Sequence, residues 1–96
     1  MEIAGKVAVI TGAASGIGRA VATELARRNV RAMALVDIGE NINEAAAEVD
    51  AVAGRKVAYP FRGDTTDEAF RASVFDSISS QFATVTMCVP AAGITR

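Results

Sequence analysis

Thr11-Gly12-Ala13-Ala14-Ser15-Gly16-Ile17-Gly18 follows without a break on the β-branched run Lys6-Val7-Ala8-Val9-Ile10. A continuous apolar run with no polar alternation suits a parallel strand covered on both faces. Past the glycines, Ile17, Val21 and Leu25 recur every four residues beside Ala20, with Arg27 and Arg28 in the last turn and Asn29 placed to close the end. That pattern predicts a helix from Gly16 to Asn29. A helix N-terminus leaves backbone N–H groups unpaired and carries partial positive charge, so a turn without side-chain bulk lets a pyrophosphate approach it. Gly12 would permit the tight turn, Gly16 the approach of the phosphates, and Gly18 the packing of helix on strand. An ordinary glycine-rich turn is the competing reading. A phosphate loop of the Gly-Lys-Ser/Thr type is excluded, because neither the lysine nor the hydroxyl is present.

The alternation continues outward from this unit. Met33 to Asp37 predicts a second strand, and Asn41 to Ala53 a second helix with Ile42, Ala46, Val49 and Val52 on one stripe and Gly54 as its stop. Lys56 to Phe61 predicts a third strand. Thr65 and Glu68 resemble a capping box that opens a third helix carrying Phe70, Val74, Ile78 and Phe82. Thr84 to Val89 predicts a fourth strand. Four strands and three helices in strict alternation imply an α/β fold, a Rossmann-type doubly wound parallel sheet, because right-handed crossovers return each helix to the sheet. The expected order puts the first strand in the centre and the fourth beside it as an edge. Val85, Met87 and Val89 make an apolar edge that invites covering, so the sheet reads as incomplete. Residues 1–96 are expected to be the N-terminal part of a single NAD(P)-binding Rossmann domain.

Asp37 ends the second strand, 19 residues after Gly18, where a dinucleotide fold expects a carboxylate to accept hydrogen bonds from the adenosine ribose. The same charge would repel a 2′-phosphate, and neither Ser15 nor Ile38 supplies a cation for one, so NAD is favoured over NADP. A solvated strand-end carboxylate is the alternative. The chain has 96 residues, 10 basic and 11 acidic and interspersed, which gives no basic stripe for nucleic acid. No apolar run approaches the roughly 20 residues that span a bilayer. Cys88 is the single cysteine, burial is its expected state, and a reducing cytoplasmic setting is expected. No His or Cys cluster suggests a metal site. Arg19, just past the glycines, could reach a phosphate or belong to a solvated helix face with Arg27, Arg28 and Arg31.

The spacing Thr-Gly-x-x-x-Gly-x-Gly at Thr11 to Gly18 resembles the cofactor fingerprint of the short-chain dehydrogenase/reductase family, and the resemblance runs the length of the chain. It implies NAD-dependent hydride transfer between nicotinamide and a carbonyl/alcohol pair. It also implies cofactor contacts from the turn at Gly12, Ala14, Ser15, Gly16, Ile17 and Gly18, and from Asp37 and Ile38. Asp64 matches an aspartate that faces the adenine amino group, and Thr65 follows it with a backbone contact. Helix capping is the other reading of both. Where the family carries Asn-Asn-Ala-Gly, Pro90, Ala91, Ala92 and Gly93 stand instead; backbone approach to the ribose through Ala91, Ala92 and Gly93 survives that change. The family's serine and Tyr-x-x-x-Lys are absent: the one tyrosine, Tyr59, is followed four residues on by Gly63 and reads as core packing. No catalytic residue is therefore expected here. Ala92 to Arg96 is similar to the matching stretch in 3-oxoacyl thioester reductases and hydroxysteroid enzymes, which implies fatty-acid chemistry. The family implies a homo-oligomer for a full-length protein. A nucleotide-binding module or fragment without turnover, or a catalytically dead relative, is the competing reading.

Overall fold

A computed structural model describes residues 2–91 of the chain. Val7–Thr11 forms β1, and Val7 through Ile10 are all buried, as a strand covered on both faces requires. Gly16–Arg27 forms α1, Ala32–Asp37 β2, Ile42–Ala53 α2, Ala58–Arg62 β3, Glu68–Gln81 α3 and Met87–Pro90 β4. The strands lie in the order β3-β2-β1-β4, every pair parallel, with Ala8 opposite both Met33 and Met87. This is the expected doubly wound, Rossmann-type sheet, with β1 central and β4 at one edge of the described strands.

The pleat divides the core in two. Ala8, Ile10, Met33 and Leu35 point to one face, where α1 and α2 supply Ala22, Leu25, Ile42, Ala46 and Val49. Val7, Val9, Ala32, Ala34 and Val36 point to the other, where α3 supplies Val74 and Ile78. Alternation in side-chain direction along a strand makes both faces apolar, which is why the strand sequences show no polar period. The crossover changes face between β3 and β4, so the carboxyl ends of β1 and β4 flank the point where the winding reverses.

The ends of α1 and α2 follow their sequence signals. Asn29 takes a φ of 66° just past α1, and the Val30 N–H returns to the Leu25 carbonyl; Gly54 closes α2 at φ 74°. Asp50 then ties α2 to β3, one carboxylate oxygen accepting from the Val57 and Ala58 N–H groups at 2.8 Å each and the other from Lys56 Nζ at 3.2 Å.

Four expectations need correction. The buried face of α1 is Gly18, Ala22, Leu25 and Ala26, with Ile17 and Ala20 exposed, because close contact at Gly18 turns the small residues inward. On α2 the stripe is Ile42, Ala45, Ala46 and Val49, and Val52 lies outside. The third helix starts at Glu68, not at Thr65: the cap is Asp67, whose carboxylate accepts from the Ala69 and Phe70 N–H groups. Cys88 is exposed, since it shares the pleat direction of its partner Val9 on an edge strand that α3 leaves partly open.

Candidate functional site

Three turns meet at the carboxyl ends of β1, β2 and β3. The first is shaped by its glycines. Gly12 takes a φ of 70°, and a Cβ on Gly18 would stand 2.2 Å from the Gly12 carbonyl oxygen, so α1 rests directly on the turn. A Cβ on Gly16 would meet nothing within 4 Å, so space is open in front of the helix end. Ser15 occupies the cap position of α1, yet its hydroxyl donates to the Gly12 carbonyl at 2.6 Å and caps no helix N–H. The first turn of α1 holds no acidic residue either. Its leading amides thus have no side-chain cap, in contrast to α3, whose own Asp67 takes up the equivalent groups.

The second turn leaves β2 at Asp37. Its carboxylate accepts from the Ala14 N–H at 3.0 Å and from the Gly39 N–H at 2.9 Å, while its main-chain oxygen accepts from the Gly63 N–H at 3.0 Å. Ile38 follows, two-thirds exposed at 66%. The third turn runs through Gly63, Asp64 and Thr65. A Cβ at Gly63 would fall 2.5 Å from the Phe70 ring, so the glycine lets the aromatic ring lie beneath the turn. The Thr66 N–H at 2.9 Å and the Thr66 hydroxyl at 2.7 Å donate to Asp64. The backbone bond first and the hydroxyl second hold the Asp64 carboxyl below its ordinary value of 3.8.

Gly12, Ser15, Asp37, Ile38, Gly63, Asp64 and Thr65 line a cavity of about 280 Å³ between these turns. Six of these seven are residues that the motif and the resemblance single out. Gly63 is the addition; a glycine directly before Asp64 with an aromatic residue seven positions on was its only trace in the sequence. The other expected residues that are described do not line the cavity. Gly18 is buried under the turn, Ala14 is half-buried beside Asp37, and Gly16 and Ile17 are exposed at the start of α1. Ala91 is buried past the end of β4, and Ala92 and Gly93 lie outside the described residues.

Other candidates point elsewhere. Arg19 turns to α2, where it pairs with Glu48 at 2.5 Å and approaches Glu44 at 4.0 Å. Tyr59 packs 5.1 Å from the Phe82 ring, with Lys56 Nζ 4.7 Å above it. Pro90 stands opposite Thr11 at the end of β4, an edge position where its missing N–H is tolerated. No described helix is long and apolar enough to cross a membrane.

A family model described as short chain dehydrogenase matches residues 6–96. The chain belongs to the short-chain dehydrogenase family. Among relatives in that family, Dehydrogenase/reductase SDR family member 11 of Homo sapiens is 34% identical over 91 residues, which are 95% of this chain and 35% of that protein. The 3-oxoacyl-(acyl-carrier-protein) reductase FabG of Escherichia coli (strain K12) is 35% identical over 96 residues, covering all of this chain and 37% of that protein. Solved structures of short-chain dehydrogenases superpose closely. One from Burkholderia phymatum in complex with NAD gives a TM-score of 0.83 at 32% identity, covering 92% of this chain and 31% of the other. L-Sorbose reductase from Gluconobacter frateurii, complexed with NADPH and L-sorbose, gives 0.79 at 30% identity over 92% of this chain and 34% of its own. The chain spans about a third of the length of the curated relatives it matches. Short-chain dehydrogenases with this fold thus include one solved with NAD and one solved with NADPH.

Proposed function

We propose that residues 1–96 are the N-terminal, cofactor-binding part of a single NAD(P)-binding Rossmann domain in an oxidoreductase that moves a hydride between nicotinamide and a carbonyl/alcohol pair. The observation that carries this reading is the cavity between three turns, set beside a helix N-terminus that its own sequence leaves uncapped. Its size, just below the roughly 300–1,000 Å³ of whole small-molecule pockets, suits the adenosine end of a dinucleotide. In this reading the amides of Gly16 and Ile17 face the pyrophosphate, with Gly12, Ala14, Ser15 and Gly18 shaping the turn that presents them; the Ser15 N–H itself donates to the Gly12 carbonyl at 3.1 Å. Asp37 accepts from the ribose hydroxyls, and Ile38, Asp64 and Thr65 border the adenine. Ala91 approaches the adenosine ribose through its backbone, the role that the resemblance also gives to Ala92 and Gly93. When bound, the dinucleotide would donate or accept the hydride, and the residues of this chain would bind and orient it.

NAD is the preferred form. Asp37 places a full negative charge where a 2′-phosphate would sit, and Ser15 and Ile38 bring no cation. Of the guanidinium groups at the rim, Arg62 approaches the Ile38 carbonyl at 3.3 Å and Glu40 at 3.8 Å, and Arg71 donates to the Thr65 carbonyl at 2.7 Å. The substrate class is a 3-oxoacyl thioester or a related hydroxy compound, a reading supported by the name of the Escherichia coli relative. The full-length protein is a homo-oligomer working in the cytoplasm, where an exposed thiol such as Cys88 stays reduced.

Calorimetric titration of the chain with NAD, NADP and ADP-ribose tests the binding claim. NAD and ADP-ribose should bind alike and NADP about tenfold or more weakly, the scale of one charge-assisted hydrogen bond lost to repulsion. Absence of binding by all three would overturn it. A second reading, a nucleotide-binding module without turnover, is favoured by Tyr59, the one tyrosine of the chain, which is packed against Phe82. Binding of NAD without hydride exchange in a form extended past residue 96 would select it.

A further inference from the structure

The walls of the cavity come from three turns, and one residue touches all of them. Asp37 Oδ2 accepts from Ala14 in the first turn, Oδ1 from Gly39 in the second, and the Asp37 carbonyl from Gly63 in the third. Both carboxylate oxygens therefore have a backbone partner within the chain itself. The bond to Ala14 bridges 23 residues of sequence and joins the turn after β1 to the end of β2. Its nearest companion is the neutral bond from the Ala13 N–H to the Val36 carbonyl at 3.1 Å, and a bond to a charged acceptor is the stronger kind. Ala14 is half-buried and Asp37 is partly shielded, so water replaces this acceptor only in part.

We infer that Asp37 is a positioning residue for the glycine-rich turn, in addition to any contact it makes with a ribose. It sets the position of Ala14, and through it the amides of Ser15 and Gly16, before a nucleotide arrives. Cofactor preference and turn order are then coupled through one carboxylate. Removing the charge to admit a 2′-phosphate also releases the turn that must hold the pyrophosphate. The affinity consequence rests on the nucleotide reading proposed above; the effect on the turn does not.

Amide hydrogen exchange of the nucleotide-free chain separates the two. Asp37→Ala should raise exchange at Ala14 and Gly39 by about tenfold or more. Gly63, bonded to the main-chain carbonyl that the substitution keeps, and Leu35 in the core should stay as they are. Asp37→Asn, with one carbonyl oxygen left, should restore protection at one of the two amides. A general loss of stability would instead accelerate all four together in both variants, and that outcome, like unchanged exchange at Ala14, would overturn the inference. In titrations, Asp37→Ala should lose about tenfold or more in affinity for NAD and show no gain for NADP, whereas charge repulsion acting alone predicts a gain for NADP. A gain for NADP with Ala14 still protected would overturn the positioning role. Should the wild type bind neither dinucleotide while the exchange pattern holds, the nucleotide reading fails and the positioning role stands.

Discussion

Gly16 and Gly18 are two residues apart in the same turn and answer to different demands. A methyl group at Gly18 would sit 2.2 Å from the backbone oxygen of Gly12, an atom that cannot rotate away, so α1 would have to lift from β1. Gly18→Ala should cost about 1–3 kcal/mol in urea unfolding, the range of an overpacked core. Gly16→Ala meets open space and an ordinary backbone, so its stability should change by no more than about 0.5–1 kcal/mol, in the stabilising direction. The same methyl should weaken nucleotide binding, because it occupies the space in front of the helix amides. At Asp64 the expected effect is one of pH. Its folded value lies below the ordinary 3.8, so its stabilising bonds are complete above that value and vanish as the pH falls through the lowered one. An NMR titration of the Asp64 carboxyl should show this depression. Thr66→Ala should return only part of it, since the backbone N–H of residue 66 is the larger cause and remains.

At the scale of the element, caps and ties matter more than propensity. Asp67→Ala removes the acceptor for two helix amides of α3 and should destabilise the chain by about 0.5–2 kcal/mol in thermal or urea unfolding. Asp67→Asn should recover most of that loss, because an amide oxygen can still accept. Strand identities and the alternation of strand and helix were legible because each strand is an uninterrupted apolar run and each helix begins or ends at a residue with a chemical reason to be there, such as Asn29 or Gly54. The third helix start was not, because Thr65 and Asp67 both offer a capping side chain within three residues, and only the turn held by Asp64 and Thr66 selects between them. The inward face of α1 departs from its sequence periodicity for a related reason. Periodicity weighs Ile17 by its size, whereas the contact at Gly18 is governed by how little is there. Most of the cavity lining was legible, since Gly12, Ser15, Asp37, Ile38, Asp64 and Thr65 all lie at strand ends. Gly63 was not, because its reason is the Phe70 ring beneath it, a contact between turn and helix.

Taken as a whole, the molecule has one well-covered sheet face and one that thins toward β4. Val9, Cys88 and Pro90 line an apolar groove of about 250 Å³ against Val74 and Phe75, and β4 lends its outer backbone groups to no other described strand. An apolar edge of this kind pairs with other chains. Light scattering of the chain should therefore show association that grows with concentration, and Cys88→Lys, which places a charge on that edge, should reduce it. The sheet order also dictates a timetable for folding. β1 pairs with β2 through Ala8 and Met33, 25 residues apart, but with β4 through Ala8 and Met87, 79 residues apart. Closing the longer loop costs more chain entropy, and non-local parallel pairings form slowly. During synthesis β1 is thus half-paired until the chain through Met87 has emerged. Mutations in β4 should accordingly leave the early folding rate of the β1–α1–β2 unit untouched and speed unfolding instead.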